Sequence, residues 1–138
     1  MTVFICLDDN RGMLFHRRRQ SRDKAVKEDM LQLAGQEKVW MNAYSAKLFE
    51  GAADRIMVAE DFLELMQAED CCFLENIPLK PYEDRIKTIA VYYWNREYPA
   101  DTYLDIDLEG NWEVVERRDF GGNSHEEITR KIYRRKDC

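Results

Sequence analysis

The sequence predicts an α/β fold, a single domain with a mostly parallel sheet, helices on both faces and a C-terminal antiparallel hairpin. Short apolar runs alternate along the chain with segments of helical periodicity, which is typical of parallel strands joined by helices. The run 71–77 shows no polar alternation, as expected of a central strand that is covered on both faces. The 138 residues fit one domain, 1–138, that is long enough to build a hydrophobic core.

Five apolar runs are predicted to be strands of the sheet. The first is bounded by Asp-Asp-Asn, which interrupts the apolar pattern. In chain order the runs cover residues 3–7, 38–42, 55–59, 71–77 and 87–94. The closing hairpin is predicted over 111–120 and 126–136, because the sequence Gly121-Gly122-Asn123 between them is a strong turn signal. His125 lies beside this turn and is predicted to be exposed.

Three helices and a helical turn over residues 82–85 are predicted between the five strands. Ser21 can cap the first helix and Gly35 stops it. Its apolar face is formed by residues at helical spacing, namely Val26, Met30, Leu33 and Ala34. The second helix is predicted over 43–50, closed by Gly51, and the third over 60–70. The apolar face of the third helix is formed by Phe62, Leu65 and Met66.

The composition limits the classes of function. The formal net charge of −6 and the pI of about 5.0 argue against a dedicated nucleic-acid binder, although they allow a local basic patch. No run approaches the roughly 20 apolar residues that a membrane span needs, so we expect a cytoplasmic protein without a membrane partner. Of the four cysteines, Cys6, Cys71 and Cys72 lie in apolar runs and are predicted to be buried reduced thiols. Their spacing gives no reason to expect a metal.

The densest cationic cluster follows the first strand. Four of its side chains are candidate anion ligands, because a guanidinium can hold a phosphate or carboxylate through two hydrogen bonds: Arg17, Arg18, Arg19 and Arg22. The carboxyl ends of parallel strands are also where α/β folds usually bind ligands. The alternative is a solvated loop that neutralises acidic neighbours. The sequence leaves both interpretations open.

Several motifs, taken in order, resemble those of dihydrofolate reductases. The opening "CLDDNRGM", the charged helix after it and "VWMNAYSAKLF" are similar to the family's first strand, Gly-containing loop, substrate-binding helix and cofactor-side strand. The segment "YPADTYLDID" resembles the family's Glu-Gly-Asp-Thr-x-Phe-Pro segment, with Asp101 and Thr102 in register. The end, "NWEVVERRDFGGNSHEEITRKIYRRK", resembles the closing hairpin. The resemblance covers nearly the whole chain and implies a divergent member, shortened by one strand after Gly51.

The resemblance implies roles for three residues. Asp23 corresponds to the family's catalytic carboxylate after a one-residue shift, whereas an ungapped match places Lys24 there. Ser45 and Thr102 correspond to cofactor-contacting positions, and the cofactor implied is NADPH. An alternative for Asp23 is a structural role near the positive end of the helix dipole.

Two positions depart from the family's pattern. Arg19 stands where the family has a tryptophan that closes the substrate pocket. Glu75 follows the fourth strand, where the family has a Gly-Gly pair that lets the cofactor approach the backbone. A carboxylate at this point would repel the phosphates of a dinucleotide.

These departures predict a dihydrofolate-reductase-like protein without ordinary folate reductase activity and with no cofactor. In this first hypothesis it is a ligand-binding or protein-interaction module that uses its Arg-rich loop to bind a small molecule or a protein. A second hypothesis is an NADPH-dependent reductase of a pterin or another small heterocycle, with Asp23 as the acid. A third is a nucleic-acid accessory protein that uses its basic clusters, which the acidic pI disfavours.

Overall fold

The computed structural model describes residues 1–136, and within them ten strands alternate with helical segments. The strands are β1 (Thr2–Leu7), β2 (Gly12–Phe15), β3 (Arg18–Arg19), β4 (Val39–Met41), β5 (Ile56–Val58), β6 (Cys71–Phe73), β7 (Thr88–Tyr93), β8 (Thr102–Tyr103), β9 (Trp112–Phe120) and β10 (Ile128–Arg135). The α-helices are α1 (Lys24–Ala34), α2 (Ala43–Ala46) and α3 (Phe62–Leu65). Two 3-10 helices cover Lys47–Arg55 and Lys80–Arg85.

A central sheet has the strand order β5-β4-β6-β1-β7-β10-β9. β1 runs parallel to β6 and β7, and β4 runs parallel to β5 and β6. β10 is antiparallel to both β7 and β9. The predicted α/β class, with a mostly parallel sheet and a C-terminal hairpin, is therefore confirmed. In the hairpin, Ile132 lies opposite Glu116 and Tyr133 lies opposite Val114, which leaves a β-bulge at Val115.

Helical segments pack on both faces of this sheet. Because successive side chains of a strand point to opposite faces, neighbouring residues of one strand belong to different cores. On β1, Val3 and Ile5 belong to the core that includes Phe62 of α3. Phe4 belongs to a second core, which includes Met30 of α1. The sheet is thus packed on both sides, as the apolar runs predict.

The first helix begins later than predicted. Its N-cap is Asp23 rather than Ser21, because the Asp23 carboxylate accepts a hydrogen bond from the backbone of the first turn. Gly35 ends the helix as predicted, with a φ of 63° that favours glycine. Val26 and Met30 are buried as predicted, whereas Leu33, predicted for the same face, is 40% exposed and Asp29, not predicted for it, is buried.

The other two α-helices are shorter than predicted. The segment 43–50 is α-helical only as far as Ala46, and the 3-10 segment Lys47–Arg55 that follows is interrupted by non-helical backbone at Phe49 and Ala52. The segment 60–70 is α-helical only over Phe62–Leu65, and Leu65 is exposed. Such short helices depend on packing against the sheet rather than on their own propensity. In the described part of the chain, no helix has the length and apolar character needed to cross a membrane.

A second, small sheet with the order β3-β2-β8 has no signal in the sequence pattern. Its strands are two to four residues long, too short to show alternation. The turn that leads into it is held by Asp8, whose carboxylate accepts hydrogen bonds from the N–H groups of Asn10 at 2.9 Å and Gly12 at 2.7 Å. This sheet brings the cationic cluster to the carboxyl end of β1.

The three described cysteines are free thiols. Cys71 and Cys72 are buried as predicted, whereas Cys6 is only partly buried by its neighbours. Burial raises the pKa of Cys71 to about 11, which disfavours the reactive thiolate. Cys138 lies outside the described residues.

Candidate functional site

The cationic cluster forms a β-hairpin made of β2 and β3. His16 and Arg17 are its two turn residues, with φ of 51° and 63°, the backbone of a type I′ turn. The hairpin is fastened to β8 because the His16 N–H donates to Oδ2 of Asp101 at 3.1 Å and the Asp101 N–H donates to the carbonyl of Leu14 at 3.0 Å. The two turn residues are exposed. The hydrogen bonds to Asp101 nevertheless hold the turn in a defined conformation.

Arg19, the last residue of this hairpin, is bound to Glu75. Its Nε donates to Oε2 of Glu75 at 2.8 Å and its NH2 donates to Oε1 at 3.1 Å, a bidentate ion pair. The guanidinium also stacks over the ring of Tyr44, 4.3 Å from the centroid. Burial alone would lower the pKa of Arg19, but the hydrogen bonds and charge of Glu75 raise it. Arg19 is thus held as a cation by the protein's own carboxylate.

The same ion pair is connected to α2 and to the loop after β6. Ser45 donates its hydroxyl proton to Oε1 of Glu75 at 2.7 Å, and Asn42 donates to the Asn76 side chain at 2.7 Å. Tyr44 receives a hydrogen bond on its hydroxyl from the Arg19 N–H at 2.9 Å. These bonds join the ends of β3, β4 and β6 across the crevice in which an α/β fold would bind a ligand.

Asp23 lies at the start of α1 and its carboxylate is fully engaged. Oδ1 accepts hydrogen bonds from the N–H groups of Ala25 at 2.8 Å and Asn123 at 3.0 Å. Oδ2 accepts the Ser124 N–H at 2.8 Å and lies 2.9 Å from the Ser124 hydroxyl. Burial alone would raise the pKa of Asp23, but these hydrogen bonds lower it to about 2. A general acid needs the opposite shift, because it must hold a proton near neutral pH.

Asp23→Asn should show how strongly this carboxylate stabilises the fold. Because the pKa of Asp23 falls from 3.8 to about 2 on folding, its ionised form stabilises the protein above about pH 4 and this stability is lost as the pH falls through 2. The shift corresponds to about 2 kcal/mol. Urea unfolding should therefore find the variant about 2 kcal/mol less stable at pH 7, with the difference shrinking toward zero near pH 2.

Asp9→Asn is the matched control, because Asp9 is an exposed carboxylate in the turn after β1. We expect it to change the free energy of unfolding by less than about 0.5 kcal/mol. If the difference between wild type and Asp23→Asn stayed constant from pH 7 to pH 2, the ionised Asp23 would not stabilise the fold in this way.

Asp23 borders an open groove of about 480 Å³ together with Lys27 and Ser124. The second cavity, which Asp23 shares with the Arg19–Glu75 ion pair, is small. Its volume is about 30 Å³, enough for a water molecule but not for a heterocyclic ring. Four large side chains take up the space around it, namely Met30, Phe49, Phe73 and Trp94. Arg19 and Glu75 also line it, so the ion pair and the cavity belong to one site.

His125 is part of a buried hydrogen-bond chain, and its predicted exposure is wrong. Its exposed fraction is 9%, and its ring stacks on Trp94 with the centroids 4.6 Å apart. Nε2 lies 2.7 Å from the Tyr98 hydroxyl, while Nδ1 lies 2.9 Å from the Ser124 hydroxyl and 3.4 Å from Oδ2 of Asp23. The Gly-Gly turn suggests exposure, but the turn folds back onto the start of α1 and covers the ring.

The residues that the sequence predicts to bind an anion or a cofactor do not all lie at one site. Arg17, Arg18 and Arg22 are exposed, and their side chains make no ion pair with any described residue. Arg19 and Ser45 meet at Glu75 instead of facing an open cofactor cleft. Thr102 lies on the exposed small sheet, where its hydroxyl is 3.4 Å from the Asp101 carboxylate. The partners of Asp23 in the closing hairpin were not among the predicted residues, and nothing near Asp23 in the sequence points to them.

Comparison with known proteins bears on the fold. No protein-family model matches the chain, and no curated protein matches it. Among solved structures, dihydrofolate reductase from Enterococcus faecalis, complexed with NADP(H) and RAB-propyl, is similar with a TM-score of 0.69. The chain has a dihydrofolate-reductase-like fold. The match covers 97% of this chain and 95% of the other.

The resemblance in the sequence motifs is thus confirmed at the level of fold. The identity to the Enterococcus faecalis enzyme is 9%, so the likeness shows the fold alone. Function has to be argued from the side chains of the site, since one fold supports many activities.

Proposed function

We propose that this dihydrofolate-reductase-like chain is a ligand-binding or protein-interaction module without ordinary folate reductase activity, with the Arg-rich hairpin β2–β3 as its binding surface. The observation that carries the proposal is the bidentate ion pair between Arg19 and Glu75. It stands in the crevice at the carboxyl ends of β1 and β6, together with Ser45 and Tyr44.

The ion pair opposes cofactor binding in two ways. The guanidinium of Arg19 is already paired with Glu75, so it is not free to bind the phosphates of a dinucleotide. Opening the crevice would also separate Arg19 from a carboxylate whose side chain is only 9% exposed. Breaking a partly buried ion pair by losing one partner costs several kcal/mol, of which binding of a cofactor would have to supply the greater part.

The substrate side of the crevice supports the same proposal. Pockets that bind small molecules are typically about 300–1,000 Å³, whereas the cavity that Asp23 shares with the Arg19–Glu75 ion pair measures about 30 Å³. Both oxygens of the Asp23 carboxylate already accept hydrogen bonds from backbone N–H groups of Ala25, Asn123 and Ser124, so little of its hydrogen-bonding capacity is left for a pterin amino group. Its lowered pKa also leaves it without a proton to donate at neutral pH.

The hairpin supports the binding half of the proposal. Arg17 and Arg18 present unpaired guanidinium groups at a turn with two positive φ values. Each non-glycine residue in this conformation costs about 1 kcal/mol, and such strain is frequent at ligand-binding positions. A fixed cationic turn on a protein of net charge −6 favours an anionic ligand or an acidic partner surface.

The proposal is tested by thermal unfolding and by a reductase assay on the full chain. We expect NADPH and dihydrofolate, each at 1 mM, to leave the melting temperature unchanged, because ligands stabilise only through binding to the native state. We also expect no oxidation of NADPH in the presence of dihydrofolate. NADPH oxidation, together with a rise of several degrees in melting temperature, would overturn the proposal.

The alternative function is an NADPH-dependent reductase of a pterin or another small heterocycle. The observation that favours it is the structural similarity to a reductase whose structure contains NADP(H). The same assay separates the two, and Asp23→Asn adds a second readout. If Asp23 donated a proton to substrate, the variant would lose activity at every pH at which wild type is active.

A further inference from the structure

A groove of about 290 Å³ lies over the neighbouring strands β7, β10 and β9, between the turn after β1 and the loop before β9. Its volume is close to the lower end of the range for small-molecule sites. It shares no residue with the cavity at Asp23 and lies on the other face of the sheet, because Tyr133 packs in the core opposite to that of α1. The side chains that shape it are Arg11, Tyr93, Leu108, Arg117, Lys131 and Tyr133.

Two cations of this groove lie directly opposite each other on one face of the sheet, since Arg117 of β9 is in register with Lys131 of β10. Like charges in such a cross-strand pair destabilise a sheet. Lys131 is half-buried, and no carboxylate within residues 1–136 forms an ion pair with it. Its Nζ lies 5.5 Å from the centroid of the Tyr93 ring. An anion bound between the two cations would relieve their repulsion.

The carboxylates nearby do not remove this excess of positive charge. Glu109 pairs with Arg11 at 3.2 Å, but its side chain is 84% exposed, and exposed ion pairs contribute little. Asp119 lies 3.4 Å from Arg117 through the oxygen that also accepts the Thr129 hydroxyl proton at 2.6 Å. Three cations therefore stand against two partly exposed carboxylates, in a protein whose net charge is −6.

The tyrosine pair in this groove has one hydroxyl proton without an acceptor. The hydroxyl oxygens of Tyr93 and Tyr133 are 2.7 Å apart, so one hydroxyl donates to the other. The second proton meets no acceptor in the described part of the chain. Burial raises the pKa of Tyr93, as does its hydrogen bond to Tyr133, so the pair remains a donor at neutral pH. The positive charge of Arg11 also acts on the Tyr93 hydroxyl, which places Arg11 on the same side of the groove.

We propose that this groove binds the phosphate group of a small phosphate monoester. The phosphate oxygens accept hydrogen bonds from Arg117, from Lys131 and from the tyrosine hydroxyl that has no other acceptor, while Arg11 adds a third positive charge. The inference goes beyond the proposed function and does not rest on it, because the Arg-rich hairpin β2–β3 contributes no residue to this groove.

The ligand class follows from the number and position of the donors. Two cationic side chains, a hydroxyl and the guanidinium of Arg11 come from three strands and a turn, which suits the three terminal oxygens of a phosphate monoester better than the two of a carboxylate. The organic part of the ester has an apolar surface at Leu108. A nucleic acid is disfavoured, because Glu109 and Asp119 border the cations and would repel the next phosphates of a polyanion.

The test is calorimetric titration of the full chain at low ionic strength with ribose 5-phosphate, inorganic phosphate, ribose and acetate. We expect ribose 5-phosphate and inorganic phosphate to bind at least tenfold more tightly than acetate, because only they offer three acceptor oxygens beside a negative charge. Ribose should not bind. Vesicles that contain phosphatidic acid test whether a lipid headgroup is bound in place of a free ester.

Variants assign the contacts. Lys131→Ala should weaken binding of ribose 5-phosphate about tenfold, whereas Lys131→Arg, which keeps the charge, should bind within about threefold of wild type. Replacing both Tyr93 and Tyr133 by phenylalanine should weaken binding about fivefold or more. Lys38→Ala is the matched control, because Lys38 is an exposed lysine just before β4, four strands away from β10 in the sheet. It should leave the affinity unchanged, and the melting temperature of each variant checks that it is folded.

Four outcomes would overturn the inference: no binding of ribose 5-phosphate, equal binding of acetate, equal affinity of wild type and Lys131→Ala, or much tighter binding of oligonucleotides or phosphatidic acid vesicles than of ribose 5-phosphate. Arg17→Glu with Arg18→Glu separates this groove from the Arg-rich hairpin and should leave the affinity for ribose 5-phosphate nearly unchanged. If this double change abolished binding, the phosphate would bind the hairpin and the inference would be wrong. The proposed function is decided separately, by the NADPH oxidation assay with dihydrofolate.

Discussion

Asp29→Ala is expected to lower the free energy of unfolding by about 3 to 5 kcal/mol. Asp29 lies on α1 with an exposed fraction of 7%, and Arg130 on β10 is 3% exposed. The NH1 group of Arg130 donates to both oxygens of Asp29, at 2.8 and 2.7 Å. The Tyr92 hydroxyl donates to the same carboxylate at 2.7 Å. Alanine would leave a buried guanidinium with one partly exposed partner, Glu116, and would leave the Tyr92 hydroxyl without an acceptor.

The measurement is urea unfolding at pH 7, followed by circular dichroism. Glu28→Ala is the matched control, because Glu28 is the preceding residue of α1 and is exposed. It should change stability by less than about 0.5 kcal/mol. A loss of under about 1 kcal/mol for Asp29→Ala would mean that solvent or a rearranged neighbour neutralises Arg130, and that the buried ion pair does not hold α1 to the hairpin.

Gly122→Ala is expected to cost about 2 to 3 kcal/mol, because the position has no room for a side chain. A Cβ at Gly122 would collide with Oδ2 of Asp23, and would lie 2.8 Å from Cδ1 of Ile128 and 2.9 Å from the carbonyl oxygen of His125. Relief of these contacts requires the turn to move away from α1. The hydrogen bonds from Asn123 and Ser124 to Asp23 would then lengthen.

Gly51→Ala serves as the control for this substitution, since a Cβ at Gly51 meets nothing within 4 Å. We expect Gly51→Ala to be neutral or to stabilise the protein by a few tenths of a kcal/mol, because alanine loses less backbone entropy on folding. Thermal unfolding of the two variants side by side makes the comparison. Equal melting temperatures would show that the turn at Gly122 adapts and that its packing on Asp23 is not tight.

The positions of the central strands along the chain and their mostly parallel direction could be predicted, because the runs that form β1, β6 and β7 are apolar and buried on both faces. The buried strands β1, β6 and β7 fall within the predicted runs 3–7, 71–77 and 87–94. Amphipathic helices were less predictable. Leu33 fits the apolar period of α1 but is exposed, whereas Asp29, one turn before it, is buried against its partner Arg130 in β10.

The residues of the candidate site could be named from the sequence, but the groups with which they form hydrogen bonds and ion pairs could not. Asp23 could be named from the family resemblance and from its place near the start of a helix, yet two of its hydrogen-bond donors, Asn123 and Ser124, lie about 100 residues away in the chain. Arg19 and Glu75 are separated by 56 residues, and each has an ordinary interpretation when taken alone. The sequence placed both residues at the same predicted crevice with opposite charges. This was the available signal that they form an ion pair. No local pattern indicated the strands β2, β3 and β8, because they are too short.

The β-bulge at Val115 has a consequence for behaviour at high concentration. β9 is the outermost strand of the sheet and is nine residues long, and its free edge is the longest in the described structure. A long regular edge invites pairing with another molecule, which is the first step toward aggregation. The extra residue at Val115 bends the strand and breaks the regular spacing of its amide groups. An approaching strand would therefore match only part of this edge in any one register, which disfavours pairing between the edges of two molecules.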